Sequence, residues 1–158
     1  MPLEVLRLGQ RKIFEKLNNF PEFYLVGGTA LALQIGHRIS VDFDLFSAEE
    51  IAPKFLDKVK RIFKDFKVKA IINHSEQLSV KINDIRVDFV KYGFPVISDF
   101  IDFNGVKLLS VPEVAAMKAY ALNRRGTLKD YVDLYFILEE KLSTLEEIKE
   151  IAEKKYGD

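Results

Sequence analysis

Three acidic residues in apolar surroundings are the first candidates for chemistry. Asp42 and Asp44 stand in Ser40-Val41-Asp42-Phe43-Asp44-Leu45-Phe46, and Asp88 stands in Arg86-Val87-Asp88-Phe89-Val90. On a strand, residues i and i+2 project from one face, roughly 6.5–7 Å apart. Asp42, Asp44 and Phe46 would thus share a face, opposite Val41, Phe43 and Leu45. A solvent-facing edge explains a lone D-x-D. Asp88 changes the balance, because three carboxylates converge if its strand lies beside the first. At an effective dielectric of ~20 and a separation of about 5 Å, each like-charge pair costs about 3 kcal/mol. Such a set needs a cation among the groups or a retained proton. Hard oxygen ligands without His or Cys suit Mg²⁺ or Mn²⁺. Divalent ions that bridge attacking and leaving oxygens serve phosphoryl and nucleotidyl transfer.

Upstream, Gly27-Gly28-Thr29 follows the apolar run Phe23-Tyr24-Leu25-Val26. A strand that runs through glycines into a helix exposes backbone N–H groups to an anion, and glycine lets a phosphate approach closely. A plain tight turn is the alternative. Thr29 either caps the helix or bonds a phosphate. The D-x-D follows after twelve residues, Ala30 to Val41.

Lys118 is the sole charge between Val114 and Leu122; it either snorkels to water or meets an anion. Lys129 and Asp133 are spaced as an i,i+4 helix pair worth ~0.3–0.5 kcal/mol, and Asp130 suits an N3 cap. Arg38, with Ser40 just ahead of the D-x-D, either reaches a phosphate or steadies the acidic strand. His37 and His74 read as ordinary surface or turn residues.

These side chains need elements to position them. Periodicity predicts a helix over 3–18, a strand over 23–26, a short helix over 29–34 ended by Gly36, and a strand over 40–46. An amphipathic helix over 53–66 follows, then strands over 68–72, 78–82 and 85–90, with Asn83-Asp84 as a hairpin turn. A short strand is expected near 106–109. The last third is helical. Capping boxes at Ser110/Glu113, Thr127/Asp130 and Ser143/Glu146 open three helices, the first carrying Pro112 and ending at Gly126. The order implies α/β or α+β architecture around a mixed sheet. With no linker or repeat, residues 1–158 read as one domain, a core over about 20–109 and C-terminal helices over about 110–158.

The stretches Tyr24–Leu33 and His37–Phe46 resemble the polymerase-β-like nucleotidyltransferase superfamily, and within it the AbiEii/AbiGii-toxin-like branch. Ala116–Leu122, Arg124-Arg125 and Lys129–Leu134 are similar to that branch's downstream motifs. The resemblance implies a nucleotidyltransferase-like mixed sheet flanked by helices. It implies Mg²⁺ or Mn²⁺ held by Asp42, Asp44 and Asp88, with Asp88 orienting or deprotonating an acceptor hydroxyl. Gly27, Gly28 and Thr29 would hold nucleotide phosphates, with Arg38 and Ser40 beside them. Lys118 would contact the triphosphate or leaving pyrophosphate, and Lys129, Asp130 and Asp133 would line the same cleft. The implied activity moves a nucleoside monophosphate from an NTP to a hydroxyl of RNA, protein or a small molecule. A toxin role with a cognate antitoxin follows from the resemblance alone. The rival reading is a nucleotide- or protein-binding regulatory module with the same fold and no turnover.

Composition bounds these readings. Twenty-four Lys and Arg balance twenty-four Asp and Glu, which argues against a globally basic nucleic-acid coat. The balance cancels unlike regions: residues 54–69 carry seven basic and two acidic side chains, residues 139–158 four basic and seven acidic. The basic stretch is either a solvated face or a local nucleic-acid footprint. Without cysteine, disulfides and thiolate chemistry are excluded. Met1-Pro2-Leu3-Glu4 has no signal-peptide pattern and no run of 18 apolar residues exists, so the expected address is cytoplasmic, with no membrane partner.

Overall fold

The computed structural model describes residues 3–157, with the side chains of residues 123 and 125 left aside. Seven strands form one mixed sheet, β1 (Tyr24–Val26), β2 (Phe43–Ser47), β3 (Val68–His74), β4 (Gln77–Ile82), β5 (Ile85–Lys91), β6 (Ile101–Phe103) and β7 (Val106–Leu108). Their spatial order is β3-β4-β5-β2-β1-β7-β6. Six helices accompany them: α1 (Leu8–Phe14), α2 (Gly27–Ile35), α3 (Phe55–Ile62), α4 (Val111–Arg125), α5 (Leu128–Glu139) and α6 (Leu145–Tyr156). The α+β architecture is the one expected.

Alternation along β2 decides which side of the sheet does what. Phe43 and Leu45 are fully buried and join Val87, Phe89, Leu78 and Val80 in a core covered by α1 and α3. Asp44 and Phe46 project from the other face. There α4, α5 and α6 pack over Tyr24, Val26 and Leu109 in a second core. The basic helix α3 thus lies on the side of the sheet away from Asp44.

Tight turns set the registers. Asn83 and Asp84 both take positive φ between β4 and β5, the two-residue turn that matches strand twist. Asn104 and Gly105 do the same between β6 and β7. That Asn-Gly signal makes β6 the strand missing from the periodicity reading, where three residues show too little alternation.

Other boundaries move for identifiable reasons. The expected helix over 3–18 breaks into α1 and flanking 3-10 turns at Leu3–Val5 and Leu17–Asn19. Arg11 Nε donates to the carbonyls of Leu3 and Leu6, replacing helical partners there. Strand β2 starts at Phe43, because the preceding residues are held by side chains. Gln10 Nε2 donates to the Ser40 carbonyl at 2.6 Å, and the Thr29 hydroxyl bonds the Asp42 carbonyl. Helix α2 begins at Gly27, so both glycines form its first turn. Helix α3 spans only Phe55–Ile62, yet Phe63 still packs in the core beyond it.

Of the three capping boxes, Thr127/Asp130 is present. Glu113 does not cap Ser110; it accepts from the N–H groups of Ile97 and Ser98 and from Lys155 Nζ. Helix α6 is capped by Thr144, one residue after Ser143, with its Oγ1 accepting from Glu147 N at 3.1 Å.

Candidate active site

Asp44 and Asp88 are direct neighbours. Strands β2 and β5 run parallel in a register that pairs Asp44 with Asp88, while antiparallel β1 pairs Val26 with Asp44. Carboxylates 44 positions apart in sequence therefore meet at the point where β1 enters α2. Burial first, then the charge of Asp88, pushes the Asp44 carboxyl up to about 7. Asp42 adds a further repulsion from an exposed position at the approach to β2. Asp88 is held by the Ser79 hydroxyl and by Arg86 Nε, at 3.1 and 3.2 Å from its two oxygens.

Among the described residues no three acidic or imidazole side chains are gathered into a preformed metal cluster. The donor set nevertheless fits a divalent cation. The Asp44 carboxyl meets that of Asp88 within hydrogen-bonding reach, and repulsion from Asp88 and Asp42 outweighs the attraction of Lys118. Carboxylate oxygens under mutual repulsion are the environment a hard divalent ion relieves.

Beside the pair opens a cavity of about 350 Å³. Gly27, Gly28, Thr29, Arg38, Ser40, Asp42, Asp44, Lys118, Lys129 and Asp130 all line it. Gly27 takes φ +70°, and a Cβ there would stand 3.1 Å from Asp44 Oδ2. The helix N-terminus is thus pressed against the carboxylate with room for no side chain. The hydroxyls of Thr29 and Ser40 bond each other, and Thr29 also bonds the Asp42 carbonyl. Both groups brace the segment that carries Asp42.

Two predicted residues lie off the cavity wall. Asp88 stands behind Asp44. Asp133 is fully buried and collects three cationic or imidazole partners. Arg38 makes a forked contact, Nε to Oδ1 at 2.8 Å and Nη2 to Oδ2 at 3.0 Å. His37 Nε2 lies 2.5 Å from Oδ1, and Lys118 Nζ lies 2.9 Å from Oδ2. Burial alone would raise the Asp133 carboxyl; hydrogen bonds from His37, Arg38 and Lys118 outweigh it and hold the group well below the usual range. The expected Lys129–Asp133 helix pair does not form. Arg38 turns to Asp133 and not to the acidic strand, and Lys118 neither snorkels nor stands alone.

Asp130 does two things at once. Its Oδ2 accepts from Thr127, completing the α5 cap, and its Oδ1 accepts from Lys118 Nζ at 2.9 Å. Lys129 is exposed at the cavity rim.

His37 is the residue the sequence reading misplaced. Its side chain is only 2% exposed and packs edge-on against Phe136. A His-Arg pair directly ahead of the acidic motif was the available signal, but its partner lies 96 residues away in α5. Phe46, Val114, Met117 and Ala121, to which the sequence assigned no site role, form the apolar part of the cavity wall with Val26 and Val41. The side chain of Arg125, part of the Arg124-Arg125 pair, lies outside the described residues.

Known proteins resemble this chain in sequence and in fold. The sequence profile of the family described as nucleotidyl transferase AbiEii toxin, type IV toxin–antitoxin system, matches residues 11–158. An uncharacterised protein of Aquifex aeolicus is 31% identical over 156 residues, spanning 96% of this chain and 76% of that relative. In fold the chain resembles JHP933 from Helicobacter pylori, with a TM-score of 0.63, 20% identity, and coverage of 87% of this chain and 67% of that one. It also resembles ANT(2″)-Ia in complex with adenylyl-2″-tobramycin, with a TM-score of 0.58, 13% identity, and coverage of 96% and 95%. No described helix is long and apolar enough to cross a membrane.

Proposed function

The chain belongs to the AbiEii nucleotidyl transferase toxin family, and we propose that it moves a nucleoside monophosphate from an NTP to a hydroxyl acceptor and releases pyrophosphate. The observation that carries this reading is the Asp44–Asp88 pair set against Gly27 at the mouth of the cavity.

Asp42, Asp44 and Asp88 would hold the divalent cation, which when bound neutralises their charge and polarises the α-phosphate. The triphosphate lies at the first turn of α2, where Gly27 presents backbone rather than side chain and the Arg38 guanidinium packs over Gly28. Asp88, fixed by Ser79 and Arg86, accepts the acceptor's hydroxyl proton. The acceptor oxygen bonds the α-phosphorus as the bond from that phosphorus to the bridging oxygen breaks. Pyrophosphate leaves with the extra negative charge, facing Lys118. Asp130 and Asp133 fix that lysine in the cavity wall, so it needs no reorganisation as charge develops.

The test is incubation of wild type and Asp44→Asn with Mg²⁺, α-labelled NTPs, and either total RNA or cell protein. Labelled acceptor from wild type only is the expected result. Equal labelling by both proteins removes the carboxylate pair from the mechanism. We also propose a toxin role with a cognate antitoxin: induced wild type should arrest growth of a host, and Asp44→Asn should not.

A further inference from the structure

Helix α5 has two faces of opposite character. Asp133 and Ile137 turn inward and are buried. Leu128, Tyr131 and Tyr135, spaced three and four apart, share the outer face. They are 79%, 58% and 60% exposed and belong to neither core. Leu142 and Leu145, just beyond the helix, are exposed as well. Scattered apolar residues on a surface are ordinary, but an aligned row along one helix marks an interaction surface. Tyrosine suits such a surface, because its ring buries area while its hydroxyl stays wet.

The charges on α5 say what covers it. Lys129 stands in the first turn and Glu139 is the last residue. A helix dipole favours the reverse, acids at the N-terminus and bases at the C-terminus. Both side chains are exposed, and neither forms an ion pair among the described residues. Asp130 and Asp133, the acids nearest Lys129 in sequence, are taken by Lys118. A second copy of α5 laid antiparallel answers both charges at once. A two-fold axis near the middle of the helix sets Tyr131 of one copy against Tyr135 of the other. The same axis brings Lys129 level with Glu139 to within one residue, a rise of about 1.5 Å. A parallel copy would instead put like charges side by side.

We propose that two copies of this protein pair through antiparallel α5 helices, with Tyr131 and Tyr135 at the centre and two reciprocal Lys129–Glu139 ion pairs at the flanks. Such an interface is isologous and closes on itself. Lys129 lies on the cavity wall with Thr127 and Asp130, so Glu139 of the partner subunit stands at the cavity mouth. The pairing goes beyond the transfer reaction and does not depend on it.

The experiment is sedimentation velocity over a concentration series, at low salt, for wild type, Lys129→Glu, Glu139→Lys and Tyr135→Ser. One helix face makes a small interface, so wild type should pass from 18.2 kDa to twice that mass in the micromolar range and not the nanomolar. Each charge reversal faces like charges twice per dimer, and should weaken pairing at least about tenfold. Tyr135→Ser should weaken it too. The charge reversals should not lower the melting temperature of the dilute monomer, since each new charge agrees with the helix dipole. The decisive sample is an equimolar mixture of Lys129→Glu with Glu139→Lys. Each is repelled by its own kind, yet the two together restore both ion pairs, so the mixture should sediment as a dimer at concentrations where either alone is a monomer. Wild type that stays monomeric near millimolar concentration overturns the proposal and leaves this face to a different protein. A wild-type dimer that no variant weakens lies elsewhere on the surface and overturns it equally. Weakened single variants whose mixture stays monomeric overturn the antiparallel pairing.

Discussion

Gly28 has no side chain because Arg38 occupies that space: a Cβ on Gly28 would overlap Arg38 Nη2 and stand 3.1 Å from its Cζ. The guanidinium lies across the first turn of α2 and forks onto buried Asp133. A residue of the glycine turn, a residue ahead of the acidic motif and a residue of α5 are thereby locked together.

Gly28→Ala should unseat the Arg38 fork. Hydrogen bonds between charged groups contribute about 1.5–3 kcal/mol, and the loss in urea unfolding should fall at or below that range. The KM for NTP should rise. Arg38→Lys should reproduce the effect without the clash, because lysine cannot make the fork. A normal KM in both variants would separate Arg38 from nucleotide binding.

Gly27→Ala fails for a different reason. Gly27 holds φ +70°, and a left-handed conformation costs other residues about 1–2 kcal/mol. The new methyl would also press on Asp44 Oδ2. The expected outcome is that loss of stability together with a fall in kcat larger than that of Gly28→Ala.

Asp133→Asn should leave Arg38, Lys118 and His37 around a neutral group. Removing one partner of a buried ionic network typically costs about 3–5 kcal/mol, measurable by urea unfolding at neutral pH. The pH dependence has a definite sign. Asp133 is depressed in the folded state, so the native protein binds fewer protons than the unfolded chain near and below pH 4. Its stabilisation is present above the ordinary carboxylate pKa, about 3.9, and is lost as the pH falls from there through the group's own lower value. Asp130 and Glu113 are also lowered by their lysine partners and hydrogen bonds, against burial, and add to the same acid loss. Wild type should lose stability progressively below about pH 4, most steeply under the ordinary carboxylate value, and Asp133→Asn less steeply.

Lys155→Met provides a control away from the cavity. Lys155 and Glu113 are both fully buried, 2.7 Å apart, and Lys155 also donates to the Pro95 carbonyl. Loss of the cation should destabilise by about 3–5 kcal/mol, yet leave the KM for NTP unchanged below the melting transition. Lys155→Met with Glu113→Gln should recover part of the loss.

Local chemistry made much of this molecule legible in advance. Alternation along β2 separates Asp44 from Phe43 and Leu45 whatever packs on either side. The Asn83-Asp84 turn and the Thr127/Asp130 cap depend on residues within four positions of one another, so they survive into the fold. Where two local partners were available, longer-range ones won. Glu113 left its cap for Lys155 and the Ile97–Ser98 amides, and Asp133 left Lys129 for Arg38, His37 and Lys118, because a buried carboxylate needs more donors than a surface helix pair supplies.

The sequence by itself determined which residue types could meet: two glycines at a strand end, acids on one side of an apolar strand, a lone lysine in an apolar helix. Only the tertiary structure decided that they do. Parallel pairing of β2 with β5 brings Asp44 to Asp88, and burial of α5 turns Asp133 toward Arg38 and Lys118. Side-chain periodicity is a property of a few neighbouring residues, whereas strand order and register are set by which apolar faces the whole chain can bury together.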